Sequence, residues 1–245
     1  MNRAGSGRAL RETSMTAHAR TFCLVLVAAV VLAIPVRADD DRLKTAALTL
    51  AEMSQASDSG IPQSLLAKAR CVVVVPGVKK AALGFGGQYG RGYISCRKDA
   101  GGWSAPGGIR VEGGSVGFQI GGSETDVVLL VLNERGADRL LSSRFTVGAE
   151  ASVAAGPVGR NVSAQTDATM MAEILAWSRA RGVFAGVSLQ GSTLREDSGE
   201  NEELYGRTIS NREVVTGTMA PPAAAADLMA ALTKASAAAD AAASK

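Results

Sequence analysis

From Gly77 to Gly122 the chain places 15 glycines in 46 residues, and they are patterned. Along Leu83–Ile94 one parity carries Leu83, Phe85, Tyr89, Arg91 and Tyr93. The other carries Gly84, Gly86, Gln88, Gly90, Gly92 and Ile94. Along Ser115–Gly121, Val116, Phe118 and Ile120 alternate with Gly117, Gln119 and Gly121. Period two is the strand period, because successive side chains point to opposite faces. A glycine face means that another backbone approaches closely, or that the sheet coils strongly there. Gly101-Gly102, Gly107-Gly108, Gly113-Gly114 and Gly121-Gly122 read as turns between short strands.

Flanking segments extend the pattern. Cys71–Val75 is a β-branched run ended by Pro76-Gly77, and reads as a buried strand. Asp126–Leu132 reads as a second fully buried strand. Phe145–Val153 and Val183–Leu189 alternate as strands, while Met170–Arg179 fits helix or strand. Before them, Leu43, Ala46, Ala47, Leu50 and Met53 recur at spacings of three and four. They predict a helix from Asp39 to about Ser57. Pro62 suits the start of a second short helix carrying Leu65, Leu66 and Ala69. Asn133 is a candidate cap for a helix over Glu134–Leu141, and Arg195–Glu203 is a charged loop or helix. From Ala220 the chain runs through Pro221-Pro222 into an alanine-rich tail, read as a loosely docked helix or as disordered. The expected class is α+β: an antiparallel, strongly twisted or barrel-like sheet of short Gly-rich strands with helices at the ends.

The amino terminus reads as an address. Phe22–Ile34 is an unbroken run of 13 apolar residues, too short to span a bilayer as a helix, which needs roughly 20. Arginines precede it, Pro35 ends it, and Val36-Arg37-Ala38 suits cleavage before Asp39. Residues 1–38 are therefore expected to be a signal peptide, with Met1 or Met15 as the start. A domain over 39–217 and a tail over 218–245 follow. The expected location is periplasmic or secreted.

Cleavage changes the chemistry on offer. The chain carries 26 bases against 23 acids, but residues 1–38 hold five arginines and one acid. The remainder has 21 bases and 22 acids, a net charge of −1. The only histidine, His18, leaves with the signal. That excludes a Ser-His-Asp triad, a Cys-His pair and a His-ligated metal from the mature protein. No catalytic residue, metal or cofactor is expected. Glu124, Asp126, Asp167 and Glu173 show no spacing that singles out a hydrolytic carboxylate pair. The segment Gly84–Gly90 misses both phosphate-loop patterns, since no G-K-[ST] and no helix follow it. Too few aromatic residues remain to form the girdles of a membrane barrel. Cys71 and Cys96 are left as a candidate disulfide in an oxidising compartment, with two buried thiols an equal alternative.

Residues 77–124 hold six bases, Lys79, Lys80, Arg91, Arg97, Lys98 and Arg110, against Asp99, Glu112 and Glu124. Gathered on one face, these six would form a patch for anionic lipid headgroups. The basic excess of the whole chain belongs to the signal, so no nucleic-acid partner is expected.

The middle of the chain resembles the SYLF domain family, also called the yeast-type actin-binding domain family. The segments that carry this are Ala69–Pro76, Gly84–Gly92, Gly102–Pro106, Gly117–Gly122, Thr125–Val128, Gly156–Arg160, Trp177–Gly182 and Phe184–Gly191. Together they run in order over roughly 40–205. The resemblance implies a non-enzymatic lipid-binding module. Eukaryotic members are directed to phosphoinositides through an N-terminal amphipathic helix and basic residues, and some bundle actin. Here the first helix opens on Asp39-Asp40-Asp41, which suits an anionic membrane poorly. An exported bacterial-type member meets no actin, so the implied partner is an anionic lipid or membrane surface bound peripherally, with any protein partner unknown. The alternative is a structural or envelope protein-interaction module whose alanine-rich tail docks a partner helix.

Overall fold

The computed structural model describes residues 37–56, 60–142, 144–147, 153–157, 172–180, 183–184 and 191–243. Residues 1–38 and 39–245 form two compact units. The apolar run Phe22–Ile34 lies outside the described residues, as do 148–152 and 185–189 of the predicted alternating strands.

In chain order the elements are α1 (Arg37–Gln55), α2 (Gln63–Lys68), β1 (Cys71–Cys96), β2 (Gly107–Val131), α3 (Glu134–Leu140), β3 (Phe145–Thr146), β4 (Val153–Ala155), β5 (Ile174–Ala180), β6 (Val183–Phe184), β7 (Thr193–Glu196), α4 (Ser198–Tyr205), α5 (Asn211–Thr216), a 3-10 turn (Ala223–Ala225) and α6 (Ala226–Ala243). The class is α+β with a mostly antiparallel, curled sheet, as the sequence indicates. Strand β2 is its centre. Strand β1 pairs with it from Cys71↔Val131 to Ile94↔Gly107. On the opposite edge of β2, β7 pairs over Ile109–Glu112 and β5 over Asp126–Val131. β3 adds to β7, β6 adds to β5, and β4 runs parallel to β5. The segment Ile174–Ala180, ambiguous in sequence, is a strand.

Two strands are far longer than the sequence suggested. β1 has 26 residues and β2 has 25. Only Gly101-Gly102, both at positive φ, turns the chain between them. Gly107-Gly108, Gly113-Gly114 and Gly121-Gly122 lie inside β2. Pro76-Gly77 does not end β1 either: the register shifts between Val75 and Val78, with Gly77 at φ 59°. That is a bulge, which bends a strand without ending it. The Gly77 N–H, released from the ladder, donates to Asp126 Oδ1 at 2.9 Å.

Straight, β1 would measure roughly 80 Å. It instead curls until its own segments touch. A Cβ on Gly92 would lie 2.1 Å from Val74 O and 2.7 Å from Val75 Cα; one on Gly90 would lie 2.9 Å from Val78 Cγ2. The glycine parity at 88–94 is thus the concave face, and the backbone of Val74–Val78 packs directly on it. The side chains at 82–85 and 115–120, and with them the alternation read for Phe85 and Phe118, lie outside what the structure describes.

The curled sheet buries both faces. Val73, Val75, Val78, Ile94, Ile109, Val111, Leu129, Phe145 and Leu194 fill the concave side. Val72, Val74, Val128, Leu130, Leu175 and Trp177 face outward against Leu43, Leu50 and Met53 of α1, Leu65 and Leu66 of α2, and Leu228 and Leu232 of α6. Burial on both sides explains why Cys71–Val75 and Asp126–Leu132 show no polar alternation. The alanine-rich tail is a docked helix: Leu228, Leu232 and Ala235 are buried, and Trp103 Nε1 donates to Ser236 Oγ at 2.7 Å.

Candidate functional site

Cys71 and Cys96 are the two ends of β1, and they form a disulfide. Beside it lies a cavity of about 310 Å³ lined by Arg70, Lys98, Asp138 and Arg212 among others. Its rim charges are largely compensated. Arg70 bridges Asp99 at 3.2 Å and Glu134 at 2.8 Å, and Arg212 meets Asp138 at 2.9 Å. Lys98, half-buried, has no ion-pair partner among the described residues.

The six bases singled out in the sequence fall into three groups. Arg97, next to Lys98, is an internal strut. Its Nε donates to Ala69 O at 3.0 Å and its Nη2 to Leu66 O at 3.1 Å, while the guanidinium lies 4.9 Å from the centroid of the Trp103 ring. It satisfies carbonyls at the carboxyl end of α2, where a cation also suits the helix dipole. Lys79 and Lys80 form the second group. They sit opposite Glu124 and Ser123 in the part of the hairpin where β2 pairs with β1 alone among the described residues. Lys79 is exposed, Lys80 half-buried, and neither is in an ion pair among the described residues.

Arg91 and Arg110 form the third group, directly opposite each other on the convex face. Arg91 is held from above by α4. Its Nε donates to Asp197 Oδ2 at 2.5 Å, and its Nη2 lies 3.2 Å from Glu200 Oε2. That bond to Asp197, against the opposing effect of burial, raises the Arg91 guanidinium above its ordinary range. Glu200 is 1% exposed and also accepts from Arg42 Nη1 of α1 and from the Tyr93 hydroxyl. Burial first, then the Glu200 charge, pushes the Tyr93 phenol up from 10.0. Three donors converge on one buried carboxylate, which is how a buried charge is tolerated.

Sequence reasoning missed this network. Its continuation grips the backbone of β2: Gly108 N donates to Asn201 Oδ1 at 2.7 Å, and Asn211 Nδ2 donates to Gly108 O at 2.8 Å. Asn201 Nδ2 joins the two through Asn211 Oδ1 at 2.8 Å. A Cβ on Gly108 would lie 2.7 Å from Glu200 Cβ, and one on Gly107 2.4 Å from Asn211 Oδ1. The glycine pair was the available signal. It marks a close approach, which looks the same in sequence as a turn.

No helix among the described residues is long and apolar enough to cross a membrane. The amphipathic α1 has its apolar face spent on the protein: Leu43, Ala46, Leu50 and Met53 are all fully buried.

Comparison with known proteins adds a second line. Residues 112–235 match the Ysc84 family model, described as "Las17-binding protein actin regulator". An SH3 domain-containing protein of Schizosaccharomyces pombe is 41% identical over 169 residues, 67% of this chain and 39% of that protein. The LAS seventeen-binding protein 3 of Saccharomyces cerevisiae is 34% identical over 172 residues, 69% of this chain and 37% of its own length. The human SH3 domain-containing YSC84-like protein 1 is 33% identical over 172 residues, 70% and 50% respectively. The chain thus spans half or less of these curated relatives. They are named for binding and for their domains.

Proposed function

Because the chain belongs to the Ysc84 family, we propose that it is a non-catalytic binding module that engages anionic phospholipid headgroups through the basic half of its long hairpin. The observation that carries this reading is the pair Lys79 and Lys80. They are successive residues on the two-stranded part of the hairpin, one on each face of the strand, without an ion pair among the described residues. A lysine near an anionic surface contributes about 1 kcal/mol. The amphipathic helix is not the contact in this reading, because its apolar face is already buried in the domain. We place the protein outside the cytoplasm, periplasmic or secreted. The run Phe22–Ile34 has the length of a signal core, and a Cys71–Cys96 disulfide persists in an oxidising compartment.

The test is co-sedimentation of the full chain with phosphatidylcholine vesicles carrying increasing phosphatidylserine, at low and high salt. Binding is expected to rise with the anionic share and to fall with salt. Lys79→Gln with Lys80→Gln is expected to weaken it about fivefold, the equivalent of one lysine on the face that meets the membrane. Absence of binding at low salt overturns the proposal. A second reading, docking of a protein partner, draws on the relatives named as Las17-binding proteins. It is favoured if the chain ignores vesicles of every composition yet captures a defined protein.

A further inference from the structure

The register of three adjacent strands sets arginines in a row. Arg91 of β1 lies opposite Arg110 of β2, and Arg110 lies opposite Arg195 of β7. The next row on the same face is Tyr89, Glu112 and Thr193. Val111 and Leu194, between these residues in sequence, point into the concave core, so both rows belong to the convex face. Like charges directly opposite one another destabilise a sheet unless something between them is anionic.

Two carboxylates serve Arg91, those of Asp197 and Glu200. Among the described residues one carboxylate serves the other two arginines. Glu112 Oε2 lies 3.0 Å from Arg195 Nη1, and Glu112 Oε1 lies 3.5 Å from Arg110 Nε. That Arg110 nitrogen is itself buried and has no hydrogen-bond acceptor. Among the described residues, two guanidiniums share one carboxylate, one positive charge is left over, and one buried N–H is without an acceptor. Both side chains are about a third exposed, with Tyr89 at 49% beside them. Beside the shared Glu112 carboxylate, the next row carries two hydroxyl groups, those of Thr193 and Tyr89.

We propose that Arg110 and Arg195 form a subsite for a phosphate-type oxyanion, met by the solvent-facing edges of the two guanidiniums beside the shared Glu112 carboxylate and Thr193. Guanidinium forks match phosphate oxygens in pairs, which a point-charge lysine does not. The proposal rests on the anionic-ligand reading above for its ligand class. It adds Arg195, which lies outside the basic segment of the sequence. The oxyanion has two sources, a lipid headgroup or free phosphate.

The test uses the full chain and two probes. Inorganic phosphate is titrated while amide resonances are followed. Shifts are expected at Glu112, Thr193 and Arg195, lost in Arg195→Gln and weakened about tenfold in Arg195→Lys, which keeps the charge without the fork. Vesicles containing phosphatidic acid are the second probe. If Arg195→Gln weakens vesicle binding about tenfold while Lys79→Gln adds independently, the headgroup is the source. If vesicle binding is absent in the parent chain but the phosphate shifts depend on Arg195, the lipid reading fails and the subsite stands for free phosphate. The proposal is overturned if phosphate leaves those resonances unmoved. It is also overturned if Arg110→Gln and Arg195→Gln, with melting temperatures like the parent, respond to phosphate as the parent does.

Discussion

The first and last residues of β1, Cys71 and Cys96, are bonded to each other with their Cα atoms 4.0 Å apart. A 26-residue strand therefore closes into a ring. The backbone continues the closure, since Arg97 N donates to Arg70 O at 2.8 Å and Arg70 N to Val131 O at 2.7 Å. The disulfide thus ties shut a curl that packing also favours. Replacing both cysteines by alanine is expected to cost about 3 kcal/mol, the loop-closure value for a separation of this size. Urea unfolding of the oxidised, reduced and Ala/Ala forms would read this as a lower midpoint with a similar slope. An unchanged midpoint would mean that packing alone holds the ring.

That packing is concentrated at Gly92. Its missing side chain makes room for Val74 O and Val75 Cα, both backbone atoms that no rotamer change can move. Gly92→Ala is expected to destabilise by about 3 kcal/mol or to prevent folding, as overpacking against rigid structure does. Gly87→Ala is the control. It sits in the same strand, at no positive φ, with its nearest contact 3.9 Å away at Gly113 O. It is expected to stay within about 0.5 kcal/mol of the parent. Comparable losses in both variants would refute the ring contact as the reason for the glycine face.

These glycines show what the sequence can and cannot carry. Gly90 and Gly92 alternate with Tyr89, Arg91 and Tyr93, so their common face was legible from parity alone. Gly107 and Gly108 were not legible as strand residues. A glycine pair serves a turn and a close approach alike, and the groups that approach, Asn211 and Glu200, lie some hundred residues away. The candidate site divides in the same way. The local excess of bases was visible as charge. Which base was already engaged was not, because Arg91 finds Asp197 and Arg97 finds Leu66 and Ala69 only through the fold. Arg195 was hidden for another reason. Strand β7 has four residues, too few to declare a period, and its place beside Arg110 is set by pairing with β2.

The buried carboxylate at Glu200 leads to a pH prediction. Tyr93 donates to it, and burial holds the phenol above its ordinary 10.0. A raised folded value means that the native state keeps its proton longer than the unfolded chain does. Stability is then full below pH of about 10 and declines as pH rises beyond it. Tyr205, also raised by burial and donating to Pro106 O at 2.6 Å, adds a decline of the same sign. Tyr93→Phe is expected to cost about 2 kcal/mol at neutral pH, because Glu200 loses a donor. It should also flatten part of the alkaline decline, and adding Tyr205→Phe should flatten more. Urea midpoints measured at neutral pH and above the tyrosine range would show it. A Tyr93→Phe variant with the parent's full alkaline slope would remove Tyr93 from the account.

The alanine-rich tail is the last case, and it turns on how a helix of small residues packs. Buried positions Ala225, Leu228, Leu232, Ala235 and Ser236 recur at three and four, the stripe of an amphipathic helix. Alanines around them let α6 lie close to α2 and the sheet, so little bulk is needed for a dry contact. Two leucines and one hydrogen bond then hold most of the docking. Leu232→Ala is expected to cost about 3 kcal/mol through the cavity it leaves. Ser236→Ala is expected to cost about 1 kcal/mol or more, because Trp103 Nε1 is left buried without an acceptor. Lys234→Ala, on the exposed side, is expected to stay within about 0.5 kcal/mol. Global unfolding curves separate these three. If Leu232→Ala changed stability no more than Lys234→Ala does, the tail would be an appendage open to a partner helix and not part of the core.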